Sequence, residues 1–236
     1  MKKYIIAITA LFMLFVPMTA QRKAGQTVVD DSIKVNDIGR FFSISDIDDT
    51  VFARMKKGGS YPKECKIRRT DLRYLQVLHI NFKGETKVGE LVCNKAIADD
   101  MLAIFQKLYE SRYPIARMML IDEYNADDEA SMRDNNTSCF CYRTVSGSTR
   151  LSAHSQGMAI DINPLQNPCV HTNKEGRLTS IQPDTKEARQ YIIRNSGKAH
   201  IITRDDLCYK LFVKHGFTWG GAWRSVKDYQ HFEKKI

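Results

Sequence analysis

The chain predicts an α+β domain, a small antiparallel sheet with helices packed against it. Two strand-like runs, Leu75 to Phe82 and Gly89 to Cys93, flank the turn-forming Lys83-Gly84-Glu85. From about Ala96 to Arg112, Ile97, Met101, Ile104 and Leu108 recur at helical spacing and form one apolar stripe. Met158-Ala159-Ile160-Asp161-Ile162 alternates as a strand does, so Ile160 and Ile162 can face a core while Ala159 and Asp161 face away from it.

The remaining elements follow in chain order. Residues 21 to about 65 are polar and mixed in charge, with short apolar words such as Phe41-Phe42-Ser43-Ile44, and read as an N-terminal extension packed on a domain spanning 66–236. Asp46, Asp48 and Asp49 lack the glycine and distant glutamate of a calcium loop and read as a solvated turn. Asn94 is placed to cap the helix at 96–112, with Pro114 beyond its end. Arg117 to Tyr124 reads as a strand, Asn125 to Asn136 as a polar loop bordering a cleft, and Asn163 to Pro183 as a long loop near the site. Helices are expected at about 185–195 and 204–215, the second capped by Thr203 and stopped by Gly216. His215 at its end suits the helix dipole. Trp219 and Trp223 flank a Gly-Gly bend and either wall a cleft or close the core.

Two pieces carry chemistry. The first is Ser152-Ala153-His154-Ser155-Gln156-Gly157-Met158-Ala159-Ile160-Asp161-Ile162; the second is Asp228-Tyr229-Gln230-His231-Phe232. His154 and Asp161 are seven positions apart, an odd separation that would put them on opposite faces of one uninterrupted strand. A turn must intervene, and Gly157 is the residue able to make it. His154, Asp161 and His231 then suit a catalytic zinc site, which commonly has three nitrogen or oxygen protein ligands and keeps a fourth position for water. His79, His171, His200 and His215, each without such company, read as surface or satisfied core residues. Such a site also calls for a carboxylate to take the proton of the attacking water. Asp228 is one candidate, and Glu233, sharing a strand face with His231, is its rival.

The combination Ser152-x-His154-x-x-Gly157-x-Ala159-x-Asp161-Ile162, with Trp219-Gly220-Gly221 and Asp228-x-x-His231-Phe232-Glu233, resembles the bacterial zinc-dependent peptidoglycan peptidases of the D-alanyl-D-alanine carboxypeptidase and L-alanyl-D-glutamate endopeptidase family. The resemblance covers about residues 70 to 236. It implies the zinc-site fold shared with the Hedgehog signalling domain, and zinc held by His154, Asp161 and His231. It further implies Asp228 as general base, and peptidoglycan stem peptides cut beside a D-amino acid as the substrate. Aspartate rather than glutamate at 228 is similar to the endopeptidase and phage-lysin branch. Arg143 stands where relatives carry an arginine for the developing oxyanion and the acidic substrate; Arg150 and Arg133 are the alternatives nearby. Ser152 is expected to orient a neighbour through its hydroxyl.

A zinc-bearing cell-wall-binding protein without catalysis is the alternative, because a bound metal does not prove hydrolysis. A serine D,D-peptidase is excluded: the Ser-x-x-Lys match, Ser60-Tyr61-Pro62-Lys63, contains a proline, and no Ser-Asp-Asn or Lys-Thr-Gly accompanies it.

Residues 1–20 begin with Lys2-Lys3, run apolar to Met18 and end at Thr19-Ala20, the pattern of a secretory signal peptide. An uncleaved N-terminal anchor is the alternative; with cleavage no stable membrane span is left. An exported, periplasmic or extracellular hydrolase meets the cell wall. The net charge of +9 favours anionic wall polymers. Basic residues dispersed among acids, with no recognisable module, argue against nucleic acid. The six cysteines, Cys65, Cys93, Cys139, Cys141, Cys169 and Cys208, fit either disulfides or free thiols. Cys139-x-Cys141 does not have zinc spacing. Oligomeric state is left open by the sequence.

Overall fold

The computed structural model describes residues 22–29, 33, 38–145, 148–224 and 226–235; the signal peptide assigned to residues 1–20 lies outside them. The architecture is α+β, as expected, but the strands are divided among three small antiparallel sheets. The first holds β1 (Ser43–Asp46), β2 (Leu72–Ile80) and β3 (Thr86–Asn94) in that order. The second orders β4 (Ala159–Asp161), β9 (His231–Glu233) and β7 (Thr218–Trp219); the third orders β6 (Leu178–Gln182), β5 (Cys169–Thr172) and β8 (Val226–Asp228). Among the described residues four α-helices, α1 (Asp49–Gly58), α2 (Ala98–Glu110), α3 (Asp128–Arg133) and α4 (Leu207–Lys214), accompany them. Among the described residues no helix is long and apolar enough to cross a membrane.

The β2–β3 hairpin is the frame. Its turn closes because Asn81 Oδ1 accepts the backbone N–H groups of Lys83 and Glu85, with Gly84 at φ +79°. Leu75, Val77, Leu91 and Cys93 are buried against α2, whose Met101, Ile104, Phe105 and Leu108 form the stripe read from the sequence. Burying a side chain of this size contributes about 1.5–3 kcal/mol. Phe105 meets Phe212 of α4 edge to face, and Phe212 stacks on Phe232 of β9 at 4.4 Å, so the core runs from the hairpin to the strand that carries His231.

The outer edge of β3 ties the site to this frame. Three separate segments bond to it: Glu90 N–H donates to Met118 O (3.1 Å), Phe140 N–H to Val92 O (3.0 Å), and Asn94 N–H to Gly157 O (2.9 Å). On the other side of the sheet β1 pairs with β2, so Phe41-Phe42-Ser43-Ile44 leads directly into a sheet strand. The Asp46, Asp48, Asp49 group is accounted for locally. Asp48 caps α1 through Val51 N–H, while Asp46 and Asp49 pair with Arg73 and Arg69.

Several expectations are corrected. Asn94 accepts from Ala96 N–H in a turn, and α2 begins only at Ala98. Residues 117–124 are not a strand. The chain touches β3 once, then turns at Ile121–Tyr124 because Asp122 must accept both the backbone and hydroxyl protons of Ser60 against Gly58. The polar loop at 125–136 contains α3, capped by Asp127. The long loop at 163–183 contains the β5–β6 hairpin. The helix at 185–195 reduces to a 3-10 turn, Ala188–Tyr191, and α4 is capped by Asp206 rather than Thr203. His215 makes a 2.9 Å contact with Asp100 in addition to its place at the helix end. All six cysteines are free, five of them buried.

His79 is buried in β2 and donates from Nδ1 to Ile115 O at 2.8 Å. Burial, helped by Lys87 and Arg117, lowers its pKa from 6.5 to about 4. Below pH 6.5 the unfolded chain takes up a proton that the folded ring refuses, so this contribution is intact above pH 6.5 and is lost as pH falls toward 4. The full loss is about 3 kcal/mol. Urea midpoints of wild type and His79→Gln should therefore diverge at pH 7 and converge toward pH 4.5; a pH-independent difference would remove His79 from the acid response.

Candidate metal centre

His154 sits on a 3-10 turn, Ala153–Gln156, that exists because Ser152 Oγ caps it by accepting His154 N–H and because Gly157 ends it at φ +66°. The reversal brings His154 back over β4, as the odd spacing required. Gly157 is irreplaceable here: a Cβ on it would lie 2.6 Å from Asn94 N and 3.0 Å from Cys93 C, backbone atoms of β3 that cannot step aside. Strain and positive φ together make Gly157→Ala expected to cost about 2–4 kcal/mol, several degrees of Tm in a chain of this size. An unchanged thermal midpoint would show that the turn is not held as described.

Asp161 and His231 are directly opposite partners across β4 and β9. His231 Nδ1 lies 3.0 Å from Asp161 Oδ1, His154 Nε2 lies 3.3 Å from Asp161 Oδ2, and the two ring nitrogens are 3.3 Å apart. All three residues are buried, and one ligand atom from each lies within 4.8 Å of the others. The far nitrogens are already engaged. His154 Nδ1 donates to Cys139 O at 2.6 Å, and His231 Nε2 faces Glu233 Oε2 at 3.4 Å. Those contacts fix the rings so that Nε2 of His154 and Nδ1 of His231 point at one spot, the outer support that metal-binding histidines have.

The electrostatics ask for a cation there. Burial alone would raise the Asp161 pKa, but His154 and His231 outweigh it and hold the carboxyl below the usual range. Burial would likewise lower that of His231, yet contacts with Asp161 and Glu233 push it up to about 10. A proton on His231 thus balances the surrounding carboxylates, and a divalent cation bound by these same atoms would displace it. The residues present fit zinc in number, donor type and support.

Asp228, on β8, lies opposite Cys169 of β5. Gly220 packs against it so closely that a Cβ there would be 2.7 Å from Asp228 O. Burial first, then the charge of Asp161, raises the Asp228 carboxyl to about 6. Its Oδ1 is enclosed and has no hydrogen-bond partner among the described residues. Asp228 lines the same cavity of about 740 Å³ as His154, Asp161 and His231.

Residues 146–234 match the family model described as D-alanyl-D-alanine carboxypeptidase. That segment is similar to this peptidase family. Neither the curated proteins nor the solved structures give a match.

The matched peptidase segment contains every residue of the His-Asp-His cluster and Asp228, while Arg143 stands just before it. Arg143 also lines the cavity. Ser155 Oγ accepts its N–H at 2.9 Å and donates to its carbonyl, and its guanidinium pairs with Asp128 at 2.7 Å. Of the alternatives, Arg150 lines the cavity too, whereas Arg133 pairs with Glu129 and does not. Trp219 is buried, donating its indole N–H to Tyr229 O; Trp223 is part-exposed, with its ring 5.3 Å from that of His231. One tryptophan therefore closes the core and the other walls the cleft. Asp128, Ser155 and the Cys139 carbonyl were not found by sequence reasoning. Only an acid in the first turn of a helix at 128–133 could have signalled Asp128, and that helix had been read as loop.

Proposed function

We propose that the protein is a zinc-dependent peptidase that hydrolyses peptidoglycan stem peptides next to a D-amino acid, with 66–236 as its catalytic domain in the D,D-peptidase and Hedgehog-type arrangement. The observation that carries this reading is the convergence of His154 Nε2, Asp161 and His231 Nδ1 inside the segment that matches a peptidase family. When bound by those atoms, zinc supplies Lewis-acid activation of water and of the scissile carbonyl.

The chain's own residues do the rest. Asp228, poised near neutral and with a free buried oxygen, takes a proton from the attacking water and returns it to the leaving amine. Arg143, anchored through Asp128 and Ser155, presents a planar cation to the oxygen on which negative charge develops. Glu233 orients His231 and is thereby withdrawn from the role of base. The unpaired Asp228 Oδ1 favours catalysis over a purely binding role, since a scaffold gains nothing from a buried carboxylate oxygen without a partner. The basic, then apolar, N-terminus supports export to the compartment where the wall is met.

Muropeptides digested with the mature protein and analysed by mass spectrometry should show new stem-peptide termini. That activity should disappear with a chelator and return with added zinc. Cleavage indifferent to chelation would overturn the metal assignment.

A further inference from the structure

We propose that the cleft receives a peptide on both sides of the bond it cuts, and that Arg150 binds a carboxylate carried by that peptide beyond the bond. This rests on the peptidase reading above and states which class of substrate the site takes.

The first observation is the extent of the cleft. The cavity of about 740 Å³ over the His-Asp-His cluster adjoins a second one of about 670 Å³, and the two share Arg150, Ser152, Ala153, Trp223 and Glu233 as lining. Each is the size of a complete small-ligand pocket, roughly 300–1,000 Å³. An enzyme that removes one terminal residue needs a closed end beyond the bond; here the space continues past Trp223.

The second observation is where the free positive charge lies. Recognition of a terminal carboxylate beside the scissile bond needs an unpaired cation near the ligands. Arg143, the arginine nearest in role, is already paired with Asp128 at 2.7 Å and assigned to the developing oxyanion. Among the described residues, Arg150 lines the cavity with no acidic partner, and it stands at the seam between the two cavities, not at the end of either. The second cavity also has Lys234 and Lys235 in its lining. Lys234 pairs with Asp100, and Glu233, the one acid there, divides its carboxylate between His231 at 3.4 Å and the largely exposed Lys235 at 3.7 Å, so among the described residues Arg150 is the cation left without an acid. An extended peptide bearing an acidic group a residue or so from the cut bond matches this distribution: its backbone crosses the metal ligands and its carboxylate meets the Arg150 guanidinium, which binds carboxylates in a fork.

The test uses the mature, zinc-loaded protein. Mass spectrometry of muropeptide digests first locates the bond cut. Synthetic stem peptides then present that bond with two or more residues on each side, with only one residue beyond it, or with the nearby carboxylate replaced by a carboxamide. The internal bond should be preferred, with kcat/KM falling about tenfold on truncation. Loss of the carboxylate should cost about tenfold, mainly in KM. Arg150→Ala should erase the preference for carboxylate over carboxamide, and Arg150→Lys should keep part of it. Release of single terminal residues as the main product, or a preference that survives Arg150→Ala, overturns this inference alone. A protein that binds zinc yet cleaves none of these peptides or muropeptides overturns the peptidase reading and the inference with it.

Discussion

Asp228→Ala is expected to lower kcat on stem peptides by about 10²–10⁴-fold, the range for loss of a general base, while zinc content stays at the wild-type level. The geometry separates the two readouts. Asp228 belongs to the third sheet, held opposite Cys169 and pressed by Gly220, whereas two of the cluster residues face each other in the second sheet. Removing the Asp228 carboxyl therefore leaves the ligand atoms in place. It also relieves a buried oxygen that no described residue satisfies, so the variant should fold at least as well as the wild type. Asp228→Asn serves as the isosteric control. Glu233→Gln provides the contrast, because Glu233 holds the far nitrogen of His231; it should weaken zinc binding before it slows the chemistry. Steady-state kinetics with metal analysis on the same samples checks all three. An Asp228→Ala enzyme within tenfold of wild type would give the proton transfer to another group.

The site was legible in the sequence where backbone geometry follows from residue type. Gly157 announces a reversal that places His154 over Asp161, and the glycine at φ +66° bears this out. Of the alternating Met158–Ile162, Ile160 and Ile162 join the hydrophobic core, while Ala159 and Asp161, expected on an outward polar face, are buried as well. The hairpin and the α2 stripe were equally readable, since nine-residue strands and a 13-residue helix repeat their pattern often enough to be distinguished. The β5–β6 hairpin was hidden because its strands are short and β6 is mostly exposed, Leu178 included, so no apolar alternation marks them. Residues 117–124 misled in the opposite sense. Their apolar run is buried by α1 and the β3 edge, and burial without hydrogen-bonded neighbours does not make a strand. Supports built from backbone atoms leave no trace in side-chain chemistry; Cys139 O, which sets the His154 tautomer, is of that kind.

Replacing any one of His154, Asp161 or His231 with alanine is expected to reduce zinc affinity by more than about 100-fold, the upper range for losing only an outer support, and to abolish hydrolysis. The three substitutions should not be equivalent in stability. Asp161 lies between two imidazoles and is the counter-charge that keeps the His231 pKa near 10. Without it, a protonated His231 would be left buried with only Glu233 beside it, so Asp161→Ala should destabilise the zinc-free protein most near neutral pH. His154→Ala leaves the Cys139 carbonyl without its donor and Asp161 with His231 as its remaining ring partner, a smaller loss because that carboxylate keeps a counter-charge. Zinc should raise the thermal midpoint of wild type, by mass action on the folded state, and leave those of the three variants unmoved. Competition titration with a zinc chelator and paired melting curves measure both effects. Should His231→Ala retain wild-type zinc affinity, the ion must sit elsewhere, and the 3.0 Å contact between His231 and Asp161 would be an ordinary buried pair in a strand ladder.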